Sequence, residues 1–330
     1  MDSPFSKSTS SPGEGRIVVS SQSEHVCSIE HISYQYPLKL ISPSPKLNQA
    51  SVLVFVLSYG GGLVSGDQVN LSIEVRSSAK LAMVTQGHTK VFQSIRPDVI
   101  TRQSLRVDIQ KDAALCLLPD PVQPFKNSVY EQIQIFNVAP SASLCMLDWV
   151  THGRSARGEN WSLTKWVGRN EVWASGPPTS SKPRLLIRDA IILDGQMRTT
   201  PIRTLPESMC EHAVIGTLIL RGPTMQKVGD FFVSEFEILP RLGLQDFRTA
   251  ETCEKEAAET PLPIEKWRTT RIAQEKESNL LWSAASVRGC VIVKFGAATV
   301  EGGRRWIGSM LLQEGSIERE FGEQALMCVR

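Results

Sequence analysis

The chain has 330 residues, of which 41% are hydrophobic and 21% are charged, and its formal net charge is +2. Its 36 basic and 34 acidic residues lack the basic excess of nucleic-acid-binding proteins, so we do not expect it to bind nucleic acid. Its longest apolar runs are far shorter than the roughly 18 residues of a membrane-spanning helix, so we do not expect it to span a membrane. The seven cysteines never form Cys-x-x-Cys, which disfavours a disulfide framework or structural zinc site and indicates a cytoplasmic location.

The N-terminal residues are predicted to be separate from the folded domain. Residues 1–15 are rich in Ser and Pro, include Asp2 and Glu14, and contain no apolar segment typical of a signal peptide. We predict a disordered tail over residues 1–25 and a single β-rich domain over residues 26–330.

Strand patterns fill the first two thirds of the chain. Residues 52–57 form an apolar run, and apolar and polar residues alternate over 69–75, 105–109 and 133–135. Further apolar runs lie at 115–118, 144–150, 161–166, 185–193, 214–220 and 231–239. Turn residues separate these runs at intervals of about ten residues, which favours one large antiparallel β assembly, a helical or barrel-like stack of strands, over βαβ units.

Helical patterns gather in the C-terminal third. Residues 250–260 are rich in Glu and Ala and are expected to be a solvated helix or a loop. Residues 264–287 have the spacing of an amphipathic helix, and residues 303–313 also favour a helix. Residues 175–183, with three Pro, are predicted to form a loop. The fold class is therefore mainly β with a few helices, most of them late in the chain.

The first polar motif is the glycine-rich segment 59–67, which ends at Asp67. Glycines after a strand can hold a phosphate at a helix N-terminus, but here a strand follows and no Gly-Lys-Ser/Thr is present. We therefore expect a tight turn that needs positive φ. Asp67 remains sterically open to a ligand because its neighbours are glycines.

Two more motifs follow in residues 85–92 and 117–125. His88 and Lys90 could serve as a base and an electrophile, but we favour a polar strand that lines an internal passage or forms a hydrogen-bonded corner. Residues 117–125 contain three prolines and are predicted to be a rigid extended connector.

The fourth motif, residues 148–161, places two Arg, a His and acids in a short connector. It is either a surface turn with Arg–carboxylate pairs or a polar cluster that positions an anion or a metal. The pair Cys210 and His212 has no second ligand cluster nearby in sequence, so it does not predict a closed metal site.

Taken in this order, the four motifs resemble the UreD (also called UreH) family of urease accessory proteins. The matching segments are 61–67, 85–92, 118–121 with 124–125, and 153–159. The resemblance runs from about His31 to the C-terminus, and residues 282–330 resemble the end of fungal, eukaryotic-type members. It implies a β-rich scaffold that is not an enzyme.

The resemblance also implies partners and a cargo. Members bind apo-urease, recruit a UreF-type protein and the GTPase UreG, and deliver nickel to urease, so we expect a nickel-insertion chaperone with Ni²⁺ in transit and no permanent cofactor. The candidate residues of the nickel path are Asp67, His88, Asp148, Glu159 and Asp189, the last standing where members often have Glu. Candidate motif and interface residues are Gly61, Gly62, Gly66, Thr85, Lys90, Arg154 and Arg157. Possible interface anchors, most of them expected in the core, are Trp161, Trp166, Trp173, Trp267 and Trp282.

Two alternatives remain open at the level of sequence. One is a small-molecule enzyme that uses Asp67, His88 and Lys90 for acid–base chemistry. The other is a β-rich adaptor with no role in metal handling.

Overall fold

Two β-sheets pack face to face in the computed structural model, which describes residues 11–23, 26–44, 51–175, 182–195, 203–239 and 262–330. Helices cover the far face of the second sheet. The expected mainly-β fold class, with few helices and most of them in the C-terminal third, is confirmed. Residues 176–181 of the loop predicted at 175–183, and the whole segment predicted at 250–260, lie outside the described residues.

The first sheet, which we call sheet A, has seven strands. In spatial order they are β14 (Arg184–Asp194), β13 (Lys165–Ala174), β11 (Val129–Val138), β8 (Thr101–Ile109), β5 (Gln68–Val75), β1 (Glu14–Ser23) and β2 (Val26–Tyr34). Its strands alternate buried and exposed residues because one face meets the second sheet and the other faces solvent.

The second sheet, sheet B, has ten strands. Eight of them follow in the spatial order β16 (Leu281–Val287), β17 (Cys290–Ala297), β15 (Val214–Arg221), β12 (Ser143–Thr151), β9 (Ala114–Leu117), β6 (Lys80–Val84), β4 (Val52–Ser58) and β3 (Leu38–Ile41). Two short strands, β7 (Thr89–Val91) and β10 (Val122–Pro124), extend it beside β12.

The sheets are mixed, whereas the sequence indicated an antiparallel assembly. From β4 to β13 the chain crosses repeatedly between the two sheets, so each strand returns beside its predecessor in the same direction. The central neighbours of both sheets are therefore parallel, as in β5 with β8 and β6 with β9. Antiparallel pairs such as β13 with β14 and β12 with β15 lie toward the outside. Regular turn spacing indicates how long the strands are, but it does not indicate to which of the two sheets the next strand belongs. It therefore does not distinguish antiparallel from parallel pairing.

Apolar side chains fill two layers, one between the sheets and one between sheet B and the helices. Strand β12 lies between both layers, and all nine of its residues are buried. Its even-numbered positions, among them Met146 and Asp148, face the space between the sheets, and odd positions such as Leu147 face the helices. A strand buried on both faces has a nearly continuous apolar sequence, as this one does.

Five described α-helices complete the fold: α1 (Leu205–Ser208), α2 (Gln226–Glu237), α3 (Pro263–Glu277), α4 (Val300–Glu314) and α5 (Ser316–Phe321). The helix predicted at 303–313 is confirmed by α4. The strand predicted at 231–239 is wrong, because α2 occupies most of that run. The helix predicted at 264–287 ends early at Glu277, and its last residues form β16. None of the described helices is long and apolar enough to cross a membrane.

The N-terminal boundary also needs correction. Residues 1–25 were expected to be a tail, but Glu14–Ser23 forms β1, which pairs with both β2 and β5. Ile17 and Val19 are fully buried there, so this stretch belongs to the domain. The signal in the sequence is the short apolar run at 17–19, which the Ser-rich composition around it obscures. Residues 1–10 are outside the described part of the chain.

Candidate functional site

The four sequence motifs lie together at one end of the two-sheet stack. Leu63 in the glycine-rich segment forms a parallel bridge with Val91, and β7 pairs with β10. The fourth motif joins the third because the backbone N–H of Lys126 donates to Glu159 at 3.3 Å. We call this region, formed by residues 59–67, 85–100, 118–128 and 152–160, the motif end.

The glycine-rich segment is the turn between β4 and β5. Gly60, Gly61 and Gly66 have φ values of 70°, 76° and 86°, a conformation that L side chains rarely adopt. A Cβ at Gly62 would lie 2.8 Å from the carbonyl oxygen of Lys90, so this position needs glycine for close packing. The expectation of a turn with positive φ is confirmed.

Two of the candidate acids hold loops of the motif end in place. The Asp67 carboxylate accepts a hydrogen bond from the backbone N–H of Val64 at 2.8 Å. Glu159 accepts from the guanidinium and the backbone N–H of Arg154, and the first of these contacts holds the pKa of Glu159 below its usual range. A Cβ at Gly153 would lie 2.6 Å from the Glu159 carboxylate, so glycine leaves room for this pair.

A buried carboxylate, Asp120, joins the motif end to the helices. It accepts hydrogen bonds from the Thr85 hydroxyl at 3.0 Å and the Gly87 backbone N–H at 2.9 Å. Arg304 on α4 donates to its other oxygen at 2.8 Å. His88 lies close enough for Asp120 to influence it, but burial dominates and lowers the pKa of the imidazole. The negative charge of Asp120 is thus balanced by Arg304, and both of its carboxylate oxygens accept hydrogen bonds.

A second buried carboxylate, Asp148, lies between the two sheets. It accepts hydrogen bonds from the side-chain amides of Gln132 at 2.8 Å and Asn170 at 2.6 Å, both on sheet A. Burial raises the pKa of Asp148, with a further contribution from the negative charge of Asp189, while the two amides oppose the shift. Burial thus makes the negative charge of this acid less favourable than it would be in water.

Asp148 belongs to a wider set of polar side chains, which we call the polar layer. Its members are Gln103, Tyr130, Gln132, Gln134, Asp148, Asn170, Asp189, Thr217 and Lys294. On one side the Tyr130 hydroxyl lies 3.2 Å from Gln103 and 3.1 Å from Gln132. On the other side Lys294 reaches Asp189 on β14, at the edge of the sandwich.

A cavity of about 70 Å³ reaches part of the polar layer. Its polar lining includes Thr85, Thr89, Gln103, Asp120, Gln132, Gln134 and Asp148, among a larger number of apolar side chains such as Leu63, Leu71 and Leu105. The volume exceeds the ~30 Å³ that one water molecule occupies in the liquid, and the lining offers the several polar partners that a buried water needs. One cavity therefore joins Asp120 to Asp148.

The structure brings two candidate path residues together, Asp148 and Asp189, and places the others at the motif end. Asp67 and Glu159 lie in its loops, and His88 faces Asp120. Within the described residues, no hydrogen bond or ion pair links Asp67 with His88 or Lys90. The three residues of the acid–base alternative therefore do not form a hydrogen-bonded reaction centre.

Sequence reasoning missed four residues of the polar interior that are themselves buried acids or are hydrogen-bonded to one: Asp120, Gln132, Asn170 and Lys294. A usable signal existed for Gln132, because it lies in the same alternating register as Tyr130 and Phe136, whose positions face the core. Lys294 similarly interrupts the apolar run of β17. Asp120 lies in the proline-rich connector, where no periodicity shows which way a side chain points.

The structure offers no preformed multidentate metal site among the described residues, since no three His, Cys, Asp or Glu side chains are grouped to hold an ion. Cys210 is exposed, and both ring nitrogens of His212 lie near backbone carbonyl oxygens, at 3.0 Å and 3.1 Å.

The chain is similar to known proteins over most of its length. A family model described as "UreD urease accessory protein" matches residues 11–327. A Schizosaccharomyces pombe protein named as a ureD-like urease accessory protein is 33% identical over 84% of this chain and 89% of its own length. "Urease accessory protein 4" of Cryptococcus neoformans is 32% identical over 64% of this chain and 71% of its own. "Urease accessory protein D" of Oryza sativa is 31% identical over 59% and 61%.

Proposed function

The chain belongs to the UreD family of urease accessory proteins, and from that membership we propose that it acts in urease maturation as a non-catalytic scaffold. It holds apo-urease together with a UreF-type protein and a UreG-type GTPase in the cytoplasm. Ni²⁺ is its cargo and crosses it along the polar layer, so the protein needs no permanent cofactor.

The observation that carries the nickel path is the buried carboxylate Asp148, which lies beside a polar cavity and across from a second acid, Asp189. A divalent cation is costly to move through an apolar core, and carboxylates, amides and water lower that cost. Ni²⁺ accepts such oxygen ligands. A path must also release its ion, which favours single carboxylates over a cage of four ligands.

The raised pKa of Asp148 supports passage in a second way. Burial makes ionisation of this carboxyl group less favourable when no cation is near. An arriving Ni²⁺ favours the ionised form, because the cation compensates the buried negative charge.

The motif end has the surface properties of a partner-binding site. Ile95 is 83% exposed, and Val64 and Tyr59 are exposed on the same group of loops. Basic residues such as Lys126 and Arg157 are exposed around them. An apolar centre with charged groups at its rim is typical of protein interfaces, and the basic rim fits an acidic partner surface. Trp161 and Trp166, candidate anchors from the sequence, are instead buried in the core.

The test is nickel loading of urease by an Asp148→Asn variant in cells that depend on this protein. The variant keeps the size of the side chain and removes its negative charge. We expect urease to accumulate with little nickel and little activity, while co-purification of urease with the accessory proteins persists.

Asp108→Asn is the matched control. Asp108 also accepts a hydrogen bond from an Asn side chain, that of Asn137 at 2.7 Å, but on the solvent face of sheet A. This variant should load urease normally. If urease were fully loaded with nickel in cells that carry Asp148→Asn, the nickel path would be contradicted and an adaptor without a metal role would remain. If the complex with urease and the accessory proteins were lost instead, Asp148 would be assigned to folding or assembly.

A further inference from the structure

Lys294 is a basic side chain on the face of β17 that points between the sheets. Its Nζ lies 2.5 Å from Asp189 Oδ1 and 3.5 Å from Thr217 Oγ1. Lys294 pairs with Thr217, and Thr217 pairs with Asp148, so the three form one row across sheet B. Asp189 pairs with Asn170 in sheet A, opposite that row. The ammonium therefore lies at the sandwich edge of the polar layer.

The two partners of this ion pair differ in burial. The Lys294 side chain is 48% exposed, but that of Asp189 is only 11% exposed. The second carboxylate oxygen of Asp189 is buried without a hydrogen-bond partner in the described part of the chain. A lysine ammonium on a flexible stem moves into water at little cost. A buried carboxylate that it leaves behind requires another cation.

The pair at the other end of the polar region is built differently. Arg304 is 20% exposed and Asp120 is 6% exposed. Asp120 also accepts hydrogen bonds from Thr85 and Gly87, so its two oxygens are both occupied. Of these two cation–carboxylate pairs, the Asp120 pair is fixed and the Lys294 pair is suited to exchange.

We propose that Lys294 is a displaceable plug at the sandwich edge of the polar layer. Its ammonium occupies the position of a divalent cation at Asp189 when no metal is in transit, and it moves into solvent when Ni²⁺ reaches Asp189 and Asp148. This inference rests on the proposed nickel path and adds the residue that closes it.

Charge balance supports this exchange. In the resting state the Lys294 ammonium neutralises Asp189. In the loaded state Ni²⁺ takes the place of the ammonium beside Asp189, and Lys294 is hydrated. The buried Asp189 carboxylate therefore has a compensating cation in both states.

The test is binding of Ni²⁺ alone to the purified full chain, measured by equilibrium dialysis. We expect Lys294→Gln to bind Ni²⁺ about tenfold more tightly than the wild type, because the cation no longer competes with the ammonium. Lys294→Arg keeps the charge and should bind no more tightly than the wild type. In the double variant Lys294→Gln/Asp189→Asn, the gain should disappear.

Lys165→Gln is the matched control. Lys165 pairs with Asp194 at 3.9 Å and is also 48% exposed, but it lies outside the polar layer. Its removal should leave Ni²⁺ affinity unchanged. A second readout is thermal unfolding, in which Ni²⁺ should raise the melting temperature of Lys294→Gln more than that of the wild type. A folded Lys294→Gln protein that gains neither affinity nor stabilisation would overturn the plug.

These outcomes are distinguishable from failure of the proposed function. If Asp148→Asn still loads urease but Lys294→Gln gains affinity, the plug exists at a metal site that is not the delivery path. If Asp148→Asn blocks loading but Lys294→Gln gains nothing, the path stands and the plug is rejected.

Discussion

Asp148 is the only charged residue in β12, and its position illustrates what a single residue can and cannot reveal from sequence. The sequence marks it as the start of a polar motif beside an apolar run. Its hydrogen-bond partners, Gln132 and Asn170, come from two other strands of the opposite sheet. Which strands face each other depends on how the chain crosses between sheets, and no local pattern encodes that.

The raised pKa of Asp148 predicts a pH dependence of stability. Because the folded-state pKa lies above the unfolded value of about 4, the folded state binds more protons than the unfolded state above that pH. The contribution of Asp148 is therefore fully present below about pH 4 and is lost as pH rises through the raised pKa. Metal-free wild-type protein should lose stability relative to Asp148→Asn as pH increases.

The measurement is the free energy of unfolding in denaturant for both proteins from about pH 4.5 to about pH 7.5. Loss of a hydrogen bond in Asp148→Asn gives a constant offset of about 1–3 kcal/mol, so only the slope of the difference with pH is diagnostic. Asp108→Asn, which alters an exposed acid with a comparable hydrogen bond from an Asn side chain, is the matched control. A difference independent of pH would contradict a raised pKa of Asp148 in the folded state.

At the scale of elements, a buried ion-pair network joins α2, α3 and α4. Glu235 on α2 pairs with Arg268 at 2.8 Å and with Arg271 at 3.3 Å, both on α3. Arg271 also pairs with Glu275, which accepts from the indole N–H of Trp306 on α4 at 2.9 Å. These contacts fix α3 against the helices that cover sheet B.

Removal of Glu235 should strongly destabilise the protein. Glu235→Ala leaves the fully buried Arg271 with fewer compensating charges, and breaking a buried pair in this way costs about 3–5 kcal/mol. The check is the midpoint of denaturant unfolding. Glu301→Ala, which breaks the exposed pair with Arg305 on α4, should cost no more than about 0.5 kcal/mol. Similar losses in both variants would mean that the network is not a major source of stability.

Helix α2 shows why local patterns misassign elements. Phe231, Phe232 and Val233 form a short apolar run that suggests a strand. In the structure Val228 and Phe232 are buried on one face, with Glu235 beside them, at the spacing of a helix. A short apolar run alone fits either element. In contrast, the alternation over β5 and β8 identified both strands correctly, because one face of sheet A remains in water.

At the scale of the whole molecule, the polar layer and the exposed loops of the motif end occupy different places, although Asp120 of the motif end lines the same cavity as Asp148. The layer lies between the sheets, whereas the exposed side chains of the motif end lie on loops at one end of the stack. The sequence located the motif end through its four motifs. It could not locate the whole layer, because its residues come from seven strands that meet only through strand pairing and the packing of the two sheets. These strands are β8, β11, β13 and β14 of sheet A and β12, β15 and β17 of sheet B.

This separation predicts that assembly and nickel loading respond to different substitutions. Ile95→Asp places a charge in the apolar centre of the motif end, where Ile95 is 83% exposed, so it should reduce co-purification with at least one partner and spare the fold. Asp148→Asn should instead preserve co-purification and prevent loading. Ile192→Asp is the control for Ile95→Asp, because Ile192 is 63% exposed on β14 and is not part of the loops that form the motif end.

Pull-downs of urease, the UreF-type protein and the UreG-type GTPase with each variant, together with the nickel content of the urease recovered, measure both effects. If Ile95→Asp retained every partner as Ile192→Asp does, the motif end would not be a docking surface. If Ile95→Asp also abolished binding of Ni²⁺ alone to the Lys294→Gln protein, the two regions would be coupled. Independent responses are expected because the contacts that hold the layer connect strands, and Ile95 contributes only a surface side chain.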